Sequence, residues 1–113
     1  MNLPIQSNVY IAVGNTDMRK SINGLGQLVA NDFDANIFTG DLFAFCNRRR
    51  DIVKVLFWDN NGFCIWHKRL EKDRFRWPES QQEVVNIDSQ QLSWLLAGLD
   101  INMAHKQLSY EDI

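Results

Sequence analysis

Two apolar runs separated by a strong turn signal constrain this chain more than any other feature. The runs are IVKVLFW (residues 52–58) and FCIWHKRL (residues 63–70), and both are rich in β-branched and aromatic residues. The segment DNNG lies between them and contains Asn61-Gly62, a pair suited to the positive φ angles of a tight two-residue turn. The sequence therefore predicts an antiparallel β-hairpin in the middle of the chain.

The register of this hairpin has two alternatives. If Asn61-Gly62 form a two-residue loop, Lys54 lies opposite Arg69, and like charges that face each other directly are unfavourable. A four-residue loop shifts the pairing and places Lys54 opposite His67. In the first register an anionic partner would relieve the repulsion, so the register bears on function.

Four more segments are predicted to be strands because they are short, β-branched or aromatic, and bounded by turn residues. They are NVYIAV (8–13), LFAFC (42–46), RFRW (74–77) and VVNI (84–87). In the RFRW strand, alternation directs Arg74 and Arg76 to one face and Phe75 and Trp77 to the other. We therefore expect the two rings to point inward and the two arginines to face outward.

Helices are predicted on either side of this strand-rich region. The first begins at Thr16 as N-cap, and its apolar stripe is Met18, Ile22, Leu25 and Val29. Gly24 and Gly26 lie within that helix, where they either allow close packing on a sheet or end the helix early.

The second helix is capped by Asp88 or Ser89, and Gln91 is placed to complete a capping box with Asp88. Its apolar stripe is Leu92, Leu95, Leu96 and Leu99. Trp94 lies off this stripe, which makes it a candidate contact for a partner protein.

Together these elements predict an α+β fold with a largely antiparallel sheet of about five to six strands. One helix lies near the N-terminal part and one near the C-terminus, and we expect both to pack on one face of the sheet. The length of 113 residues fits a single domain over residues 1–113. The last dozen residues are polar and are expected to be loosely ordered.

The charge of the chain is unevenly distributed. The net charge is −2, yet residues 48–76 hold nine Lys and Arg against four Asp and Glu, a net charge of +5. Residues 77–113 hold one Lys against six acids, a net charge of −5. Such asymmetry indicates a charged partner for the basic middle, or a tail that covers it within one fold.

No arrangement of residues typical of catalysis is found in the sequence. The segment GNTDMRK lacks the spacing of a phosphate-binding loop, and His67 and His105 form no zinc spacing with Cys46 and Cys64. The two cysteines lie in apolar runs and indicate reduced thiols in a cytoplasmic protein. No segment is apolar for long enough to span a membrane. We therefore expect a cytoplasmic protein that is not an enzyme and uses no cofactor or metal.

Nucleic-acid binding is the function that the residues favour, because Arg and Lys supply most contacts to phosphate. An alternative is that the same cations keep an exposed sheet edge solvated and unaggregated. The candidate DNA-binding residues, with Arg19 and Lys20 as the weaker ones, are Arg48, Arg49, Arg50, Lys54, Lys68, Arg69, Lys72, Arg74, Arg76, Arg19 and Lys20.

Three stretches of the chain carry a family resemblance. They are VYIAVGNTDMRKSINGL, FTGDLFAFCNRRRDIVKVLFWDNNGFCIWHKRLEKDRFRWP and SQQLSWLLAGLD. Over about residues 8–101 the chain resembles the TnpB-type accessory protein, the second open reading frame product, of the bacterial insertion-sequence family IS66. The motifs G-x-T-D-M-R-K, L-F-x-F-x-x-R-R, W-D-x-x-G, K-R-L-E and F-x-W-P occur together and in order.

The resemblance implies a non-enzymatic accessory role in transposition, beside a separate and larger transposase. Its partners would be the element-encoded transposase, other element proteins and DNA at the element ends. An alternative is a protein-interaction module that docks on the transposase without touching DNA, through Trp94 and the acidic C-terminal part. Asp73 departs from the family pattern, which usually has glycine in this turn.

Overall fold

The structure is a computed structural model that describes residues 8–33, 35–79 and 84–99. Within these ranges, five strands and two helices form one α+β arrangement, as the sequence predicts. The elements in chain order are β1 (Val9–Ala12), α1 (Ile22–Asp32), β2 (Leu42–Cys46), β3 (Ile52–Asp59), β4 (Gly62–Arg69), β5 (Val84–Ile87) and α2 (Ser89–Leu96). Among the described residues, no helix is long and apolar enough to cross a membrane.

The strands form a single sheet in the order β4-β3-β2-β1-β5. The pairs β3–β4, β2–β3 and β1–β5 are antiparallel, which confirms the prediction of a largely antiparallel sheet. The pair β1–β2 is parallel, because the chain passes through α1 between these strands and returns in the same direction. All five residues of β2, the middle strand, are buried.

The two helices cover opposite faces of the sheet. On one face, Leu25 and Val29 of α1 pack with Phe43 and Phe45. On the other face, three leucines of α2 pack against a core built from β1, β2 and β3, and these leucines are Leu92, Leu95 and Leu96. The prediction that both helices share one face was therefore wrong. Alternation explains the result, because successive residues of β2 are apolar and both of its faces need cover.

The central hairpin has the register with Lys54 opposite His67. The ladder closes at Asp59 and Gly62, so the turn residues are Asn60 and Asn61 rather than Asn61 and Gly62. Asn60 supplies the positive φ angle, 56°, since Asn tolerates the left-handed region better than most residues. The shift removes the like-charge pair that the Asn61-Gly62 loop would have created.

Helix α1 begins later than the sequence indicates. Its N-cap is Ser21, and the predicted N-cap Thr16 is instead buried, with its backbone N–H donated to the carbonyl oxygen of Cys46 at 2.9 Å. Residues 14–21 thus tie the end of β1 to the end of β2 before the helix starts. The helix passes through Gly24 and Gly26 to Asp32, so neither glycine ends it.

The segment 74–77 is not a strand, which corrects the prediction of a fourth strand there. Its backbone N–H at Phe75 donates to the carbonyl of Arg50 at 2.7 Å, a single bond to a loop rather than a ladder. The predicted alternation is nevertheless confirmed, because Phe75 and Trp77 are buried while Arg74 and Arg76 are exposed.

Helix α2 begins as predicted. The Asp88 carboxylate accepts the backbone N–H of Gln91 at 2.7 Å, and the Gln91 side chain accepts the backbone N–H of Asp88 at 3.0 Å. This capping box satisfies N–H groups that the helix itself leaves unpaired. The helix ends at Leu96, so Leu99 lies beyond it and is 42% exposed.

Candidate nucleic-acid interface

Three loops meet at one end of the sheet, and we call this region the basic end: residues 13–20, 47–51 and 69–76. Backbone hydrogen bonds join the second and third of them, from Leu70 N–H to the Asp51 carbonyl at 2.8 Å and from Phe75 N–H to the Arg50 carbonyl at 2.7 Å. The loop 47–51 is therefore attached to the segment that follows β4. Through these bonds the arginine-rich tip and the KRLEKDRFRW segment form one surface.

Asn47 folds the tip into a tight turn. Its side-chain oxygen accepts the backbone N–H groups of Asp51 and Ile52, both at 3.0 Å, and its side-chain amide donates to the Asp51 carboxylate at 2.6 Å. That hydrogen bond lowers the pKa of Asp51 below its ordinary value. The turn leaves Arg48 and Arg49 exposed at its outermost point.

Arg50 braces the basic end from within. It adopts a positive φ angle of 62°, and its guanidinium donates to the carbonyl oxygens of Val13 at 3.3 Å and Gly14 at 3.4 Å. It also lies beside the thiol of Cys46, whose pKa is raised by burial, while Arg50 acts in the opposite direction. The Arg50 side chain is thus engaged with the protein's own backbone rather than directed at solvent.

Two more of the predicted contact residues, the strand lysines Lys54 of β3 and Lys68 of β4, also donate to backbone carbonyl oxygens. The Lys54 ammonium donates to the carbonyl oxygens of Met18 at 2.7 Å and Lys20 at 3.0 Å. The Lys68 ammonium donates to the carbonyl of Leu96 at 2.8 Å, the last residue of α2. A cation at this position satisfies a helix-end carbonyl and complements the negative end of the helix dipole.

Three arginines of the basic end lie next to carboxylates. Arg19 pairs with Asp17 at 2.7 Å, Arg69 with Glu71 at 3.1 Å and Arg49 with Asp51 at 3.9 Å. The Arg19 side chain is 91% exposed, and its hydrogen bonds lower the pKa of Asp17 to about 2. Exposed pairs of this kind contribute little to stability.

The remaining cations of the basic end are exposed and form no ion pair with any residue that the structure describes. These are Lys20, Arg48, Lys72, Arg74 and Arg76.

The two rings that alternate with the exposed arginines Arg74 and Arg76 are not available for base stacking. Phe75 and Trp77 are buried against the α2 face, and the Trp77 indole N–H donates to the Ala12 carbonyl at 2.8 Å. The indole thereby anchors the segment to β1, and only the arginine side chains face outward.

Asp73, which replaces the usual glycine of the family pattern, is accommodated without a left-handed backbone. It has no positive φ angle, and its carboxylate accepts the backbone N–H of Arg74 at 2.8 Å. The turn after β4 is therefore held by a side-chain hydrogen bond, as is common for Asp in turns.

The opposite end of the sheet carries an aromatic cluster that the sequence did not reveal. Phe38, Trp58 and Phe63 lie with ring centroids 4.9–5.4 Å apart, and Phe38 is 58% exposed. Trp58 and Phe63 flank the hairpin turn and could have been paired from the register. Nothing in the sequence places Phe38 beside them, since a long loop carries it there.

Charge separates along the strand direction. Every Lys and Arg among the described residues lies on the loops of the basic end or on the halves of β3 and β4 that lead to it. At the other end lie Asp41, Asp59 and Asp88, at the far ends of β2, β3 and β5.

Among the described residues, no group of three or more His, Cys, Asp or Glu side chains is arranged to hold a metal ion.

Trp94, the candidate for a partner protein, is half-buried on α2. The acidic C-terminal part that was expected to act with it is only partly described: Glu79 and Asp88 lie in the described residues, and the other four acids of residues 77–113 lie outside them. The expectation of a loosely ordered C-terminus concerns the same residues.

The fold and the site define a small α+β protein with helices on both faces of one sheet and its cations gathered at one end. The chain belongs to the IS66 Orf2-like protein family (TnpB_IS66), whose family model matches residues 7–106. This confirms the resemblance seen in the motifs and indicates an accessory role in the transposition of an insertion sequence.

Two relatives come from Sinorhizobium fredii (strain NBRC 101917 / NGR234). The chain is 39% identical to the uncharacterized protein y4hO over 100 residues, which cover 87% of each chain. It is 32% identical to the uncharacterized protein y4jC over 92 residues, 81% of this chain and 79% of y4jC. No solved structure matches the chain.

Proposed function

We propose that this protein is a non-enzymatic accessory factor that binds DNA through its basic end and helps a separate transposase to assemble at the ends of the element. The observation that carries the proposal is the group of exposed cations at the basic end that have no carboxylate partner among the described residues, above all Arg48, Arg74 and Arg76. They lie on loops joined by backbone hydrogen bonds, so they face solvent from a fixed frame.

The cations divide into contact residues and supporting residues under this proposal. Arg48, Arg74 and Arg76 contact phosphates, with Lys20 and Lys72 at the margin. Arg50, Lys54 and Lys68 hold the frame, because each donates to backbone carbonyl oxygens.

A salt titration of DNA binding tests the proposal. The slope of log K against log salt is negative, and each phosphate contact that releases a counterion adds roughly 0.9 to its magnitude for duplex DNA. We expect the triple variant Arg48→Ala/Arg74→Ala/Arg76→Ala to reduce that magnitude by about 2.7, since three contacts are lost. The matched control is Arg19→Ala/Arg69→Ala, which removes cations that are already paired with acids.

An unchanged slope in the triple variant, with a larger change in the control, would place the DNA contact elsewhere. A mobility shift at two salt concentrations, with the element's terminal repeats against random DNA, then shows whether bases are read. Equal affinity for both sequences means that the basic end binds phosphate alone.

A second candidate function is docking on the transposase without DNA contact. Trp94 lies off the buried face of α2, and Leu99 beyond the helix is 42% exposed, so apolar surface is present there. A pull-down of the purified transposase in the absence of DNA tests it. Capture that is lost in Trp94→Ala and kept in the arginine triple variant favours docking over DNA binding.

A further inference from the structure

Strand β4 is an exposed edge of the sheet. It runs over eight residues, Gly62–Arg69, in unbroken register with β3, and it contains neither proline nor a bulge. No described strand lies on its outer side. The other edge strand, β5, has only four residues, and short edges are one of the ways in which proteins avoid strand addition. Of the two edges, β4 therefore offers the longer regular row of outward-facing backbone groups.

The free hydrogen-bonding groups of β4 can be assigned to particular residues. Leu70 donates its N–H to Asp51, which continues the β3–β4 ladder at 2.8 Å. In an antiparallel ladder successive residues point their N–H and C=O groups alternately to either side. The groups of Phe63, Ile65, His67 and Arg69 therefore face outward, and no backbone hydrogen bond from the described residues reaches them outside the sheet.

The charge separation along the strands selects the partner. Arg69 lies at the basic end of β4, while Asp59 and the aromatic cluster lie beside its start. A second copy placed antiparallel against β4 brings its basic end beside the acidic end of the first. A parallel copy would instead place like charges side by side, which is unfavourable.

We propose that two copies of this chain pair antiparallel through β4, around a twofold axis that passes through the sheet at Trp66. In this register Phe63 pairs with Arg69 of the second copy, and Ile65 pairs with His67 of the second copy. All of the outward-facing residues are then used, and each pair exchanges two hydrogen bonds. A register centred on Ile65 would place Arg69 opposite Asn61, which lies in the turn and has no extended backbone to offer.

The dimer places its two basic ends at opposite ends of one continuous sheet, because the twofold axis reverses the strand direction. Resting on the proposed function, this arrangement lets one dimer hold two DNA segments at once. Two segments held by one symmetric dimer suit a step in which both ends of an element are brought together.

The oligomeric state tests the pairing without DNA. We expect the full chain to sediment as a dimer, and His67→Pro to sediment as a monomer. The substitution removes one outward N–H and leaves the β3–β4 ladder intact. The matched control His67→Ala keeps the backbone N–H and stays dimeric. Ile65→Lys is a second edge variant that also yields a monomer, since it brings two added charges together near the axis.

Disulfide formation tests the register. Cys64 lies directly opposite Lys68 of the second copy, on the non-hydrogen-bonded rows where Cα atoms approach most closely. Lys68→Cys is therefore expected to give a covalent dimer on oxidation. His67→Cys is the control, because residue 67 faces the other side of the sheet and cannot reach Cys64 of the second copy.

Two results would overturn the proposal. One is a wild-type chain that stays monomeric at every concentration. In that case, hydrogen exchange shows whether the outward-facing amides of β4 are protected. If they are, and the protection disappears when residues 100–113 are removed, the edge is covered by the chain's own C-terminal part. The other is a dimer that survives both His67→Pro and Ile65→Lys and gives no disulfide in Lys68→Cys, which would locate the interface on another surface.

A bridging assay separates this inference from the proposed function. Immobilised duplex DNA, protein and a second labelled duplex are mixed, and recovery of the label is measured. His67→Pro is expected to bind the first duplex but not recover the second. The arginine triple variant is expected to lose binding and bridging while it remains a dimer in sedimentation. If DNA binding fails in every form, only the bridging role falls, and the dimer stands or falls by sedimentation.

Discussion

The cations in and beside the basic end include two groups that look alike in sequence and differ in structure. Lys54 and Lys68 lie on strands, are half-buried, and donate to backbone carbonyl oxygens. Arg48, Arg74 and Arg76 lie on loops and are exposed. Arg50 belongs with the two lysines although it lies on a loop, because its guanidinium donates to the carbonyl oxygens of Val13 and Gly14. A cation is therefore structural where its side chain reaches a backbone carbonyl of the protein, and it is available to a partner where it faces solvent without such a contact.

The largest effect is expected at two residues that are adjacent in sequence, the buried Trp77 and the exposed Arg76. Trp77→Ala removes a buried ring and its hydrogen bond to Ala12, and we expect it to lower the free energy of unfolding by about 3–5 kcal/mol. Arg76→Ala is the matched control and should change it by less than about 0.5 kcal/mol. Urea denaturation measures both. Equal effects would mean that the alternation along this segment does not separate a buried face from an exposed one.

The next largest effect is expected at Lys54. Lys54→Met keeps the apolar stem but leaves two carbonyl oxygens without their donor, at a cost of about 2 kcal/mol. The same variant should leave the salt dependence of DNA binding unchanged, because the amine does not face a partner. A weaker salt dependence of DNA binding with unchanged stability would mean that Lys54 contacts DNA and is not a structural cation.

Lys68→Met tests the structural role of the second strand lysine, at the end of α2. Loss of the single bond to the Leu96 carbonyl and of the favourable helix-end charge should cost about 1 kcal/mol in the free energy of unfolding. Lys68→Arg serves as control and should restore most of that loss. Helix content followed by circular dichroism during thermal unfolding shows whether α2 is the part that loosens.

The smallest effect is expected at the exposed pair of Asp17 and Arg19. The pKa of Asp17 is lowered from 3.8 to about 2, so the folded state prefers the carboxylate. The stabilisation from this pair is fully present above the unfolded pKa near 3.8 and is lost as pH falls through about 2. Asp17→Asn should therefore flatten the acid side of the stability curve slightly. An NMR titration of the Asp17 carboxyl with a midpoint near its unfolded value would contradict the assignment.

Much of the fold could be predicted from local sequence patterns. The central hairpin, the α2 capping box and the burial of Phe75 and Trp77 follow from short-range rules of turn chemistry, capping and alternation. What local patterns left out is how distant segments meet. The uninterrupted apolar run of β2 shows that both faces of the sheet need cover, but no single segment records that β1 lies between β2 and β5.

The candidate site shows the same limit. Every cation of the basic end was a candidate from the sequence, and the net charge of residues 48–76 by itself pointed to all of them except Arg19 and Lys20. It did not separate Lys54 from Arg48, since Lys54 is engaged by carbonyl oxygens of residues 18 and 20, far away along the chain. The late start of α1 arose similarly, because Thr16 is bonded to Cys46 rather than used as an N-cap.

The place of β1 in the sheet also sets the order in which the chain can fold. The β3–β4 hairpin closes over neighbouring residues, whereas β1 pairs on one side with residues 42–44 and on the other with residues 84–87. Pairings between distant segments form slowly, because the loop entropy is lost before the contacts are gained. During synthesis, one side of β1 therefore stays unpaired until β5 has been made. A chain halted before residue 84 leaves β1 as an edge strand of the sheet.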